Sequence, residues 1–216
     1  MSESIAVSDE SSRSTDSVVP DDSSSEPVWA PRRATAIVLL ICGAIGLLAA
    51  VTLTIERFKL LEDPSYRPSC SLNPVLSCGS VMVTKQAQFF GFPNPLIGIG
   101  AFSVVLVIGA LVAARVDLPI WFWGGLTAGL GAGMVFVVYL IVQSLYRINA
   151  LCPYCMAVWT VTPILFVIAA QTTARLGSVP ALWRVVDKAW FALIAYYIVV
   201  VALIGERFWY YWSTLL

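Results

Sequence analysis

Between residues 34 and 55 the chain runs for 22 positions without a charged side chain, and stretches 96–114, 120–145, 152–171 and 189–205 repeat the pattern. At 1.5 Å of rise per residue, the first stretch reaches about 33 Å as a helix, enough to cross the hydrocarbon core of a bilayer. Backbone polar groups find no water there, so an uninterrupted apolar run of this length specifies a helix. With 59% hydrophobic residues, 12% charged residues and a mean hydropathy of +0.83, the chain is too apolar for a soluble domain. The expected fold class is an all-α integral membrane protein with five spans. Glu56 is expected to end the first span, and Pro163 to kink the fourth.

The flanks differ in kind. Residues 1–31 are rich in Ser, Asp and Glu and poor in large apolar side chains, which predicts a disordered tail. This tail is not a secretory signal, because the apolar run starts too late, lacks a basic start and is too long. Trp29, Arg32 and Arg33 mark an interface before the first span. Aromatic residues at span ends, notably Trp121, Trp123, Trp183, Trp190 and the run 208–212, are expected at headgroup level. Basic residues divide evenly between the two sides, so the charge rule alone is a tie. Arg32 and Arg33 abut the first span, and a cytoplasmic N-terminus places both cysteine pairs on the outer face, where disulfides persist. That orientation, in a multi-pass plasma-membrane protein, is the one expected. Zero net charge argues against nucleic acid as a partner, and the absence of histidine excludes His-based chemistry.

Reactive chemistry therefore falls to five cysteines. Cys42 stands alone in an apolar run, the usual setting of a buried, inert thiol. Cys152-Pro153-Tyr154-Cys155 opens the fourth span. Proline in a first helical turn needs no backbone N–H, and residues three apart share a helix face. A helix N-terminus favours thiolate over thiol, which suits Cys-x-x-Cys exchange chemistry. The other two, Cys70 and Cys78, lie in the long loop 56–95. A straight helix would set their α carbons about 12 Å apart, whereas a disulfide needs less than about 7 Å. An intraloop disulfide thus requires a bend, for which Asn73-Pro74 is the obvious place. The residues themselves leave open redox exchange, two structural disulfides or a four-thiolate zinc site. The wide Cys70–Cys78 spacing disfavours zinc, and no strand–helix–strand pattern supports a glutaredoxin-type fold.

The order and spacing of the two pairs, with Cys78-Gly79-Ser80-Val81 and Gly91-Phe92-Pro93-Asn94-Pro95-Leu96-Ile97-Gly98 between them, resemble the vitamin K epoxide reductase family in its bacterial form. Quinone reductases of the DsbB type place Cys-x-x-Cys in the first outer loop instead. The resemblance implies one transmembrane domain over residues 32–212: a four-helix bundle around a quinone of menaquinone or ubiquinone type, plus a fifth helix outside it. It assigns Cys152 and Cys155 as the active pair, and Cys70 and Cys78 as the shuttle pair. Asn94 matches an asparagine that hydrogen-bonds the quinone, Thr84 falls where the family usually has serine, and Trp159 replaces a tyrosine of the animal enzymes. Asn94 could instead be only a turn residue, and Thr84 only a helix cap. No metal is implied.

The implied reaction is oxidation of a partner's thiols at the expense of quinone, supporting disulfide formation in exported proteins. Some bacterial members carry a fused thioredoxin-like domain; this sequence ends at Leu216, so the expected partner is a separate DsbA-like or thioredoxin-like protein on the outer face. Cys78, freed by partner attack on Cys70, is expected to swing over to Cys152. Two other classes remain: a transmembrane thiol-electron carrier without quinone, and a disulfide-stapled structural protein.

Overall fold

The computed structural model describes residues 33–71, 73, 75–89, 91–177 and 186–213, with the backbone alone at Trp212. The expected tail, Pro74 of the expected bend and Trp183 lie outside these residues. Long helices α1 (Arg33–Glu62), α3 (Pro95–Ala113), α4 (Ile120–Gln143), α5 (Pro153–Leu176) and α6 (Ala189–Arg207) are each long and apolar enough to cross a membrane. Short helix α2 (Cys78–Met82) and a 3-10 turn (Lys85–Gln88) lie between α1 and α3, and α7 (Trp209–Trp212) follows α6.

In the bundle α3 packs along α1, α1 along α5, and α5 along α4. Lipid offers no hydrophobic drive between helices, so close backbone approach has to supply the attraction. Gly46 shows how: a β carbon there would lie 2.3 Å from the ring of Phe102, so only glycine lets α3 seat this phenylalanine against α1. Leu39, Phe102, Ile108, Trp123 and Leu165 form the buried centre of these four helices. Between α3 and α4 the ring is not closed by comparable packing, which leaves a slot along their length.

Three sequence expectations are corrected. α1 does not stop at Glu56 but runs on to Glu62, because the carboxylate is accommodated: Glu56 is buried and accepts the Ser69 hydroxyl at 2.9 Å and its N–H at 3.4 Å. The extra turns give the following loop a wall to lean on. Trp123 is not a headgroup ring; at 1% exposure it lies in the core with Leu126 and Leu130, three and seven residues on and therefore on the same face of α4. Trp121, 73% exposed, does face outward, whereas Phe208 is buried.

The fifth long helix docks where proline has opened a neighbour. Pro163 lies inside α5 and has no N–H for the carbonyl of Trp159, four residues back. The Tyr196 hydroxyl of α6 donates to that carbonyl at 3.2 Å, and Tyr197 donates to the carbonyl of Thr160 at 2.6 Å. A proline defect thus becomes an attachment point. Tyr196→Phe is expected to loosen α6 from α5 at a cost of about 1 kcal/mol, read as a lower unfolding midpoint in detergent; an unchanged midpoint would show that α6 is held by apolar packing alone.

Candidate functional site

The bend that Cys70 and Cys78 require is made by a side chain. Asn73 turns its Oδ1 back to accept the N–H groups of Val75 (3.0 Å) and Leu76 (2.7 Å), an Asx-type turn. With the chain so folded, the two α carbons lie 5.6 Å apart and the sulfurs are joined in a disulfide. The next residues form an isolated parallel bridge with the segment before α5: the Ser77 N–H donates to the Leu151 carbonyl (2.9 Å), and the Leu151 N–H donates to the Val75 carbonyl (2.7 Å). Cys78 follows Ser77, and Cys152 follows Leu151. Their sulfurs are 3.0 Å apart, both buried. Reacting atoms in a near-attack arrangement lie about 3–3.5 Å apart, so this contact is already positioned for exchange.

Cys152 is the N-cap of α5 with Pro153 at the first helical position, as the sequence predicts. A hydrogen bond from the Cys155 thiol holds the Cys152 pKa below the ordinary cysteine value; burial opposes this, and the backbone N–H groups of Cys155 and Tyr154 add to the lowering. The sign follows: Cys152 stays a thiolate below the pH at which a free thiol protonates, and exchange slows only when pH falls through the lowered value. The ultraviolet thiolate signal lost in Cys152→Ser should therefore titrate with a midpoint below that of free cysteine. A midpoint at or above it would contradict the assignment of Cys152 as the poised nucleophile.

Beneath the cysteines opens a largely apolar cavity of about 560 Å³, within the size range of small-molecule sites. Its walls include Cys152, Cys155, Asn94, Thr84 and Trp159, so all three residues singled out beside the active pair come to one place. Gly125 and Gly129, one turn apart on α4, line it with bare backbone, and a β carbon at either would meet nothing within 4 Å. Asn94 does two things. Its Nδ2 donates to the Gln86 carbonyl (2.7 Å) and its Oδ1 accepts the Phe89 N–H (3.0 Å), which ties down the 3-10 turn. An amide nitrogen carries two hydrogens, so one donor remains beyond the Gln86 bond. Thr84 precedes that turn without capping it; its hydroxyl donates to the Val81 carbonyl at 2.8 Å and is left as an acceptor. The Trp159 ring is buried among Val137, Ile141 and Phe208.

A family model described as the vitamin K epoxide reductase family matches residues 37–170. The chain belongs to that family. Membership implies a quinone-coupled disulfide oxidoreductase, and the matched region takes in α1, the cysteine loop, α3, α4 and most of α5.

In this vitamin K epoxide reductase family member, the residues that hold Cys152 in place against Cys78 were not legible in the sequence. α4 ends in a π-helical turn (Ser144–Ile148) that closes on Asn149 in the left-handed region, φ 55°. Arg207, at the end of α6, donates through Nε to the Leu145 carbonyl at 2.9 Å and through its terminal nitrogen to the Asn149 side chain, while the Ser144 hydroxyl donates to the Ala150 carbonyl. These bonds lock the residues just before Leu151 and Cys152. The only advance signal was the charged pair Glu206-Arg207 that ends the apolar run 189–205. Cys42 is buried in the helix core, apart from the other four. The sulfurs of Cys70, Cys78 and Cys152 lie within 4.8 Å of one another, but the first two are bonded together and cannot act as thiolate metal ligands in this state.

Proposed function

We propose that the protein is a thiol:quinone oxidoreductase that reoxidises a DsbA-like or thioredoxin-like partner on the outer face of the plasma membrane, with its N-terminus in the cytoplasm. One observation carries this reading: Cys78 contacts Cys152 at 3.0 Å while Cys152 and Cys155 form part of the wall of an apolar cavity. Sulfur exchange and a lipid-soluble acceptor thereby meet at one helix start. The cavity's volume and its Asn94 amide suit the ring of a menaquinone or ubiquinone, and the unsealed slot between α3 and α4 suits a prenyl tail.

In this mechanism a partner thiolate attacks Cys70, breaking the Cys70–Cys78 bond and releasing Cys78 as a thiolate. Cys78 attacks Cys152, breaking the Cys152–Cys155 bond and releasing Cys155. The partner's second thiolate displaces Cys70, which in turn attacks Cys78; the loop disulfide closes and Cys152 leaves as a thiolate. The bonding seen here, loop pair joined and active pair reduced, corresponds to this last stage. Cys152 and Cys155 would then close to a disulfide, passing two electrons and the one thiol proton to a bound quinone, whose second proton would come from water to give quinol. The swing of Cys78 expected from the sequence is not required, because Cys78 meets both partners from one position. What must open is the cover over Cys70, only 6% exposed. Ser69, beside it, is held by Glu56.

Purified protein incubated with a reduced DsbA-like protein and a soluble quinone is expected to form one quinol per partner disulfide. Thiol loss that continues at the same rate in anaerobic, quinone-free membranes would instead favour a carrier without quinone.

A further inference from the structure

Among the described residues lining the cavity, Arg57 is the only cation, and apart from the Cys152 thiolate no other carries a formal charge. It lies one turn along α1 from Leu53, which packs in the cluster of Cys70, Cys78 and Cys152, so the guanidinium belongs to the thiol end of the cavity. Arg57 is 9% exposed, and its Nε has no hydrogen-bond partner among the described residues. The acid next to it, Glu56, is engaged by Ser69, and no carboxylate among the described residues lines the cavity. A buried cation without a counter-charge is unfavourable, and within membrane proteins such groups face functional cavities. The Cys152 thiolate can supply that charge only while the pair is reduced, and it is lost when the pair closes. An active pair holding one thiolate and one thiol carries a single proton and one negative charge. When it closes to a disulfide, the S–H bond breaks, the S–S bond forms, and two electrons with that one proton pass to the acceptor. One oxygen of the product gains the hydrogen and the other is left anionic. A guanidinium offers forked donors suited to such an oxygen, and its attraction is strengthened where water is excluded.

We propose that Arg57 binds the anionic oxygen of the reduced acceptor, so that the cavity prefers a quinone-type ring carrying an oxyanion over its neutral counterpart. This rests on the quinone reading above, and binding rather than turnover tests it. The probes are a neutral methylnaphthoquinone and an acidic hydroxynaphthoquinone, the latter ionised at neutral pH. Both are titrated by tryptophan fluorescence into the full chain with both cysteine pairs oxidised, so that no active thiol reduces or adds to them. Arg57→Gln should weaken the anionic probe by about tenfold or more while leaving the neutral one within about threefold, and Arg57→Lys should recover part of the loss. Equal loss of both probes, or loss of neither, overturns the inference while leaving quinone binding intact. If the unaltered chain binds neither probe, the quinone reading fails and the inference with it. If Arg57→Gln changes only the thiolate titration of Cys152, the charge serves the sulfurs and the inference is again wrong.

Discussion

Cys155→Ala should abolish quinone-coupled thiol oxidation and accumulate a Cys78–Cys152 disulfide. With the resolving thiol gone, Cys152 meets Cys78 at 3.0 Å, a contact held by the Leu76–Leu151 bridge, while the Cys70 sulfur, within 4.8 Å, is bonded to Cys78. Cys152→Ala should be equally inactive but form no crosslink between the pairs, whereas Cys42→Ala should keep near-normal turnover, since Cys42 lies in the helix core away from the relay. Loss of either active thiol removes the covalent route, an effect of several orders of magnitude. Peptide mapping under non-reducing conditions distinguishes the possibilities. Recovery of Cys70–Cys152 would reverse the roles within the loop pair, and absence of any linkage between the pairs would remove the relay altogether.

Asn94→Ala should raise the KM for quinone by about tenfold or more, the scale of losing an oriented donor in a dry site, with a smaller effect on global stability. The side chain holds Gln86 and Phe89 and thereby shapes one wall of the cavity, but those bonds lie in a surface loop rather than the helix core. Asn94→Asp keeps an oxygen for the Phe89 N–H and loses both amide hydrogens, including the one on the Gln86 carbonyl, so its unfolding midpoint is read beside its KM. If Asn94→Asp matches the wild-type dependence of rate on quinone concentration, Asn94 acts only as a turn residue. If both variants raise the KM alike while Asn94→Asp keeps the wild-type unfolding midpoint, the donor is what the reaction needs.

The helices and the address of Cys-x-x-Cys were legible because both are local properties. Uncharged run length determines whether a segment can cross lipid, and a cysteine followed by proline ahead of an apolar run specifies a helix start whatever else the chain does. Boundaries were less legible where a distant group changed the local outcome. Glu56 reads as a stop until Ser69 is found against it, and Trp123 reads as an interfacial ring until its face of α4 is known to point inward. The site followed the same division. Asn94, Thr84 and Trp159 could be singled out only by resemblance, since nothing in their spacing says that α3, the loop and α5 share one cavity.

From its sequence alone this chain had to become a helical membrane protein with a thiol pair at the start of one span. Only the tertiary structure decided which sulfur would meet that pair. Cys78 and Cys152 are 74 residues apart, and no periodicity or propensity acts over that distance. Their contact is held by the bridge between Leu76 and Leu151, with Asn73 folding the loop on one side and Arg207 tying the turn before Leu151 on the other. The bridge and the Arg207 bonds are contacts between segments remote in the chain, specified by shape and unsatisfied polar groups that exist only once the helices are packed.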